Sequence, residues 1–492
     1  MGVPGFLKWL RDRGNDIIVD QISKKKISQV LIDLNSFIHE AAQEIYGYGG
    51  KEGVKDPSHE KIIRRVVKKV EDILLSYNAD EYVIAIDGVP TLSKVSQQRK
   101  RRFDAVQIKD WSNVFISPNH KFMDELYKEL YKNFANVNYA RNILGKMVPS
   151  SFTTSKKNTL LKKLSERKKE KFLKDYKNVV ISSHLERGEG EHKIMKMINR
   201  ETNGIILLLG TDADMVFLSV IINSADIYIK YKDKYISKTA FVKFLSNKYK
   251  LKNMQDFILV SYLCGNDFIP AVEDCKNIKF SLTKCLEIYA SMGQKIVESS
   301  INWEVLKIFF YKIIENSDSF YGERYDSQNL NSVTNSEKGK NTFNELIHLR
   351  HMDILRSEVY SEETDPIYIR PTRPDICFSW LVGLRWFLNT YLGNINNDWY
   401  YPFNTSPMIR ELVDYMEGFF TKSKTEERSE IISEEATKDM YKLSRKQHYK
   451  LIVPSKYLKT INEDLLDYYP TDMTKQEGEY LMCILPLSRI FE

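Results

Sequence analysis

Residues 204–214 read GIILLLGTDAD. The aliphatic run Ile205 to Leu209 stops at Gly210 and gives way to Asp212 and Asp214. A short run that is apolar at every position, and not at alternate ones, is the pattern of a strand covered on both faces, as in a parallel sheet. The end of the run matters as much as its body, because carboxylates follow it.

Working outward, the same pattern recurs in QVLIDLN (29–35), YVIAIDG (82–88) and VVISSH (179–184). Between these runs lie helical segments such as 59–77, HEKIIRRVVKKVEDILLSY, with apolar residues at helical spacing and a basic outer face. The alternation predicts an α/β fold: a mostly parallel sheet flanked by helices on both faces. After about residue 285 the pattern changes. Segments 301–315 and 376–392 read as helices, 316–342 as a polar Asn/Ser-rich linker, and 421–447 as a solvated helix or loop. The expected organisation is a domain over 1–290, a helical segment and polar linker over 291–375, and a largely helical C-terminal block over 376–492. No internal repeat is visible.

The chain of 492 residues is long enough for two or three sizeable cores. Lys and Arg outnumber Asp and Glu by 73 to 66, a balance that permits a polyanionic partner without requiring one. Cys264, Cys275, Cys285, Cys377 and Cys483 form no CxxC pair, which argues for a reducing compartment and against a disulfide framework or structural zinc. No apolar run is long enough to span a bilayer. The N-terminus MGVPGFLKWL lacks the long apolar region of a secretory signal, and Phe6 stands where a myristoylation site needs Ser or Thr. A cytoplasmic monomer with no membrane association is expected.

The acids share one feature, their position. Asp33 ends the first strand, Asp87 the second, Glu189 and Glu191 follow the third in HLERGEGEHK (184–193), and Asp212 and Asp214 follow the fourth. Open α/β sheets bind ligands outside the carboxyl ends of their strands. Asp267, in SYLCGNDFIP, is a further candidate. Each acid alone reads as a turn residue or helix cap. Together, about seven uncompensated carboxylates would raise one another's pKa values and destabilise the fold. Divalent cations remove that difficulty, and an oxygen-only donor set suits magnesium or manganese rather than zinc. Acid-lined sites for two such ions, roughly 3.5–4 Å apart, serve phosphodiester cleavage. The glycines of the acidic loop would let the backbone turn tightly enough to aim Glu189 and Glu191 inward.

Beside Asp87 lies VPTLSKVSQQRKRRF (89–103). A helix here puts Lys94, Gln98, Arg101 and Arg102 on one side. The run reads as a solvated basic face or a nuclear localisation signal when taken alone, but next to the acids it suits a terminal phosphate. The basic stretch 156–171 reads as a solvated helix.

MGVPGF, LIDLNSFIH, AIDGVPTLSKVSQQRKRRF, RGEGEHKIM, GTDADMVFL and SYLCGNDFIP, in that order, resemble the Xrn family of 5′→3′ exoribonucleases. DWYYPFNTSP (398–407) and YLMCILPLS (480–488) resemble later blocks of that family more loosely. The resemblance implies a 5′-nuclease/PIN-like core over 1–290 and a block at 376–492 that completes the active-site pocket. It implies metal-binding carboxylates at Asp33, Asp87, Glu189, Glu191, Asp212, Asp214 and Asp267, holding two Mg2+ or Mn2+ ions. It further implies a 5′-monophosphate pocket at Lys94, Gln98, Arg101 and Arg102, and His39 and Trp399 stacking on the first bases of single-stranded RNA. Family members usually carry two tryptophans around the YYP block, and here Trp399 stands alone. The chain resembles a short, core-only member. A flap-type DNA nuclease, a non-catalytic RNA-binding scaffold and, more weakly, a small-molecule phosphatase are the alternatives.

Overall fold

The computed structural model describes residues 3, 5–13, 16–103, 107–134, 178–201, 203–210, 212–223, 226–272, 275, 278–316, 373–403, 406–421, 424–440, 448 and 452. The basic stretch at 156–171, most of the polar linker at 316–342 and the block at 480–488 lie outside them.

The strands are β1 (Ile18–Val19), β2 (Ile27–Asp33), β3 (Ala79–Ala85), β4 (Gln107–Ile108), β5 (Trp111–Ser112), β6 (Val179–Ser182), β7 (Ile205–Leu209), β8 (Asp226–Tyr231) and β9 (Lys234–Ser237). All but β4 and β5, which form a separate hairpin, belong to one sheet in the order β1-β9-β8-β7-β2-β3-β6. The stretch β8-β7-β2-β3-β6 is parallel, and β9 and β1 close one edge in antiparallel fashion. The four aliphatic runs of the sequence are the adjacent strands β7, β2, β3 and β6. Their register brings Ile32 opposite Leu209, Asp33 opposite Ala85, and Ala85 opposite Ser182, so their carboxyl ends are level. The β8–β9 hairpin was not read from the sequence: its turn residue Lys232 adopts a positive φ of 54° without the Gly or Asn that marks such turns.

The helices are α1 (Phe6–Arg11), α2 (Leu34–Tyr46), α3 (His59–Ser76), α4 (Val95–Phe103), α5 (Lys121–Phe134), α6 (Gly190–Met197), α7 (Asp214–Val220), α8 (Lys238–Tyr249), α9 (Met254–Tyr262), α10 (Ile278–Met292), α11 (Trp303–Glu315), α12 (Arg373–Tyr391), α13 (Ile409–Phe419) and α14 (Thr425–Thr437). The expected helices at 59–77, 301–315 and 376–392 are α3, α11 and α12, and α14 falls within the charged segment at 421–447.

Alternation along each strand sends neighbouring side chains to opposite layers. Leu31, Val83, Ile206 and Leu208 pack with Phe6, Trp9, Phe217, Phe257 and Trp380. Val30, Ile32, Ile84, Leu207 and Leu209 pack with Ile38, Ile62, Val66 and Leu126. Helices therefore cover both faces. The first layer also takes in Trp386, Leu412 and Ile432, so the C-terminal helices share a core with the sheet. Among the described residues no helix is long and apolar enough to cross a membrane, and Cys264, Cys275, Cys285 and Cys377 are buried free thiols.

Candidate active site

Level strand ends put the acids together. Asp33 closes β2 and caps α2, accepting a hydrogen bond from Asn35 N–H at 3.3 Å. The modest reading of Asp33 as a helix cap is thus true. Asn35 orients Asp87: its Nδ2 donates to Asp87 Oδ2 at 2.7 Å, and its Oδ1 accepts from Asp87 N–H at 3.1 Å.

The acidic loop is fastened to the segment after β3 by two backbone bonds, Gly88 N–H to Gly188 O at 2.9 Å and Gly188 N–H to Val89 O at 2.8 Å. Lys193 adds a clip, its Nζ donating to Ile86 O and Ser183 O at 2.8 Å each. The glycines do different jobs. Gly188 takes a φ of 108°, a turn that side chains rarely allow. Gly190 brings its N–H within 2.6 Å of Asp87 Oδ1, and a Cβ there would sit 2.7 Å from Asp33 Oδ1.

Three groupings of side chains bring ligand atoms within 4.8 Å of one another: Asp33, Asp87 and Glu191; Glu191, Asp212 and Asp214; Glu189, Glu191 and His192. Glu191 is common to all three. Burial, and then the charge of Asp87, pushes Asp33 up to about 8. Burial and Glu189 push Asp87 up to about 6, burial and Glu189 hold Glu191 well above the carboxylate range, and burial raises Asp214. Glu189 Oε2 is buried without a hydrogen bond. Two of the groupings offer oxygen alone and the third adds a His192 nitrogen; carboxylates that repel one another, one with an orphaned oxygen, fit a hard divalent cation, so these clusters can hold metal.

Asp267 is handled differently from the other acids. Lys94 Nζ donates to Asp267 Oδ2 at 2.7 Å and lies 3.1 Å from Glu189 Oε1, and Gln97 Nε2 donates to Asp267 Oδ1. Among the described residues Asp267 joins none of the three groupings. Lys94 is wholly buried. Burial opposes its charge, but Glu189 and Asp267 hold it protonated beyond the ordinary lysine range.

A cavity of about 650 Å³ opens over these groups. Asp33, Asp87, Glu189, Glu191 and Asp212 line it together with Lys94, Gln98, Arg101, Arg102 and His39. Asp214 stands behind, accepting from Tyr391 Oη–H at 3.3 Å. Arg102 is braced by Nε donating to Ser117 Oγ at 2.8 Å and Nη2 to Ile116 O at 3.2 Å. Burial, then Arg102 and Arg101, press His39 down to about 4, so its ring is neutral.

Trp399 is not brought to the cavity. It is 3% exposed and stacks on Trp386, with centroids 4.8 Å apart and ring planes at 26°. Its ring packs on Trp386 and its edge lies beside Gly383, so the base platform expected of it next to His39 is not formed in this arrangement. Phe37, half-buried on α2, is the aromatic side chain that lines the cavity with His39. Its neighbourhood to His39 in NSFIH was visible, but nothing in that spacing marks it as cavity-facing. Asn35, Gln97, Lys193 and His192 were likewise missed, and for them the only sequence signal is proximity to the acids and the basic run.

The region after 376 reaches the site through several contacts, among them His448 Nε2 at 2.9 Å from Gln98 Oε1. Leu92 N–H bonds Asn397 O at 2.9 Å, Arg187 makes a two-pronged pair with Asp398 (Nη1 to Oδ2 at 3.0 Å), and Tyr391 holds Asp214.

Residues 1–232 match the family model described as XRN 5′-3′ exonuclease N-terminus. The 5′-3′ exoribonuclease 1 of Saccharomyces cerevisiae is 22% identical over 317 residues, covering 56% of this chain and 20% of that protein. The human 5′-3′ exoribonuclease 1 is 24% identical over 332 residues, covering 55% and 17%. That of Schizosaccharomyces pombe is 21% identical over 420 residues, covering 71% and 28%. The chain thus spans less than a third of the length of these curated relatives. Over these N-terminal 232 of its 492 residues, the chain is similar to the Xrn 5′-3′ exonucleases.

Proposed function

We propose that the protein is a metal-dependent 5′→3′ exoribonuclease that removes nucleoside 5′-monophosphates from RNA bearing a 5′ monophosphate. One observation carries this reading: a single cavity is lined both by acids that fit hard cations and by Lys94, Gln98, Arg101 and Arg102. A cationic niche one step from a carboxylate cage suits a substrate whose terminal phosphate is gripped while the next phosphodiester meets the acids. The names of the relatives agree with it.

In this reading, the acidic cluster would hold two magnesium ions, or manganese in their place, which would supply a nucleophile at neutral pH and positive charge for the departing oxygen. The protein's own groups do the rest. Asp33, Asp87, Glu189, Glu191, Asp212 and Asp214 form the donor set, with Glu191 shared. Arg101 and Arg102 present forked donors to the terminal phosphate, and Gln98 adds an amide. Lys94 carries a positive charge between Glu189 and Asp267, so Asp267 acts through Lys94. The neutral ring of His39, with Phe37, offers flat surface for the first bases, a mode indifferent to sequence. We also propose that the block from 376 onward completes this pocket, on the strength of its contacts to Leu92, Arg187 and Asp214.

The test is decay of 5′-monophosphorylated, 5′-triphosphorylated and 5′-hydroxyl RNAs with magnesium, beside the Asp212→Asn variant. Fast decay of the monophosphate substrate alone, lost in Asp212→Asn with RNA binding retained, is the expected result. Equal decay of all three overturns the pocket, and preferential cutting of flap-structured DNA moves the assignment to a DNA nuclease.

A further inference from the structure

Gln98 is the uncharged member of the basic set, and an amide has two opposite ends. Its carbonyl turned to the cavity would repel an anion, whereas its NH2 would donate to one. The side chain that decides between them comes from far along the chain. His448 Nε2 lies 2.9 Å from Gln98 Oε1. His448 is 0% exposed, and Ile452, four residues on, is buried in the same core layer as Leu92 and Val95, so this contact is anchored. Nδ1 of His448 has no hydrogen-bond partner among the described residues. Burial, then the charges of Arg102 and Arg187, press the imidazole down to about 3 and keep it neutral. A neutral ring facing a carbonyl oxygen through Nε2 carries its proton there and donates it. With Oε1 occupied, the NH2 end of Gln98 is left for the cavity that Gln98 lines.

We propose that His448 is a positioning residue for 5′-phosphate recognition, fixing the Gln98 amide so that its donor end meets the anion. This deepens the exoribonuclease reading and rests on it. The residue does not touch substrate. It acts through Gln98, and its effect belongs to binding of the phosphorylated end and not to the chemical step.

The experiment compares wild type, His448→Phe and His448→Gln by fluorescence anisotropy, using a short single-stranded RNA with and without a 5′ monophosphate, in EDTA so that no cleavage intervenes. Phe fills the space without a donor, whereas Gln restores an N–H near the place of Nε2. The ratio of affinities for phosphorylated over hydroxyl RNA should fall about tenfold in His448→Phe and return in His448→Gln. With magnesium, KM for the monophosphorylated RNA should rise in His448→Phe while kcat holds. Should the phenyl ring lower the melting temperature, His448→Met gives the same reading with a more adaptable apolar filler. An unchanged ratio in the donor-less variants, or equal loss in His448→Gln, overturns the role of His448 while leaving the phosphate pocket intact. A wild type with no preference for the phosphorylated end overturns the pocket and this inference together.

Discussion

Lys94 Nζ and Asp267 Oδ2 stand 2.7 Å apart, and the same ammonium lies 3.1 Å from Glu189 Oε1. The side chains of Lys94, Glu189 and Asp267 are 0%, 3% and 9% exposed, so water contributes little to either charge. Lys94, in the turn that leads into the basic helix α4, therefore joins that segment to the acidic cluster as a buried cation.

Removing that cation leaves two carboxylates without their partner. Breaking a buried ion pair from one side costs about 3–5 kcal/mol, so Lys94→Met should unfold at markedly lower urea concentration than wild type when EDTA is present. A divalent cation replaces part of the lost charge. The stabilisation by magnesium should be larger in the variant than in the wild type, read as the shift in melting temperature between EDTA and magnesium. Equal shifts would show that Lys94 and the metal ions act on separate groups of acids.

The acids themselves set a pH dependence. Asp33 is raised from 3.8 to about 8 and Asp87 from 3.8 to about 6, in each case by burial first and a neighbouring carboxylate second. A raised folded-state pKa means that the folded chain binds more protons than the unfolded one. The corresponding stability is fully present below 3.8 and is lost as pH rises towards 8. In EDTA the melting temperature should accordingly gain from these groups at pH 5.5 relative to pH 8. Cations compete with those protons, so the thermal shift produced by magnesium should grow over the same interval. A shift independent of pH would place the cations away from Asp33 and Asp87.

Gly190 gives a steric test of the same cage. Its N–H donates to Asp87 Oδ1 at 2.6 Å, and an added Cβ would lie 2.7 Å from Asp33 Oδ1 and 3.2 Å from Asp87 Oδ1. The nearest atoms to that Cβ all belong to these two carboxylate groups, so the carboxylates must move. Displacements of about 1 Å at a reacting centre cost on the order of 10²-fold in rate. Gly190→Ala should weaken divalent-ion binding, followed by isothermal calorimetry with manganese, and should lower turnover by about that factor. Gly188→Ala should leave metal affinity nearer to wild type, because nothing lies within 4 Å of its added Cβ and the cost falls on its φ of 108°.

The layered sheet was legible because β7, β2, β3 and β6 are buried on both faces and therefore read as unbroken aliphatic runs. Asp33, Asp87, Glu189, Glu191, Asp212 and Asp214 were legible because each ends or follows such a run. What escaped is what tertiary contact alone decides. The β8–β9 edge alternates polar and apolar residues and turns without glycine. Asp267 looks like the other acids in sequence, but its distance from them is set by where α9 ends, and Lys94 fills that gap. Trp399 carries no mark in DWYYPFNTSP that separates a stacking platform from a core ring, and its fate was decided by the pairing of α12 with the segment that follows it.

That last difference yields a paired prediction. Trp399 packs face to face with Trp386, whose Nε1–H donates to Asn396 O at 2.8 Å, so its ring belongs to the layer under the site. Trp399→Phe should cost roughly 1–3 kcal/mol of stability through lost packing while leaving the dissociation constant for single-stranded RNA close to that of wild type. Phe37 and His39 line the cavity, and stacking on an aromatic face contributes about 1–3 kcal/mol per base. Phe37→Ala and His39→Ala should therefore weaken RNA binding five- to a hundredfold, about the same range expressed as a ratio, measured in EDTA by anisotropy. Because Phe37 also packs against the core, its variant should lose some stability as well, whereas the His39 variant reports on binding more directly. If Trp399→Phe weakens RNA binding more than either of these, the tryptophan turns into the cavity when substrate is bound, and the base platform must be sought at Trp399 after all.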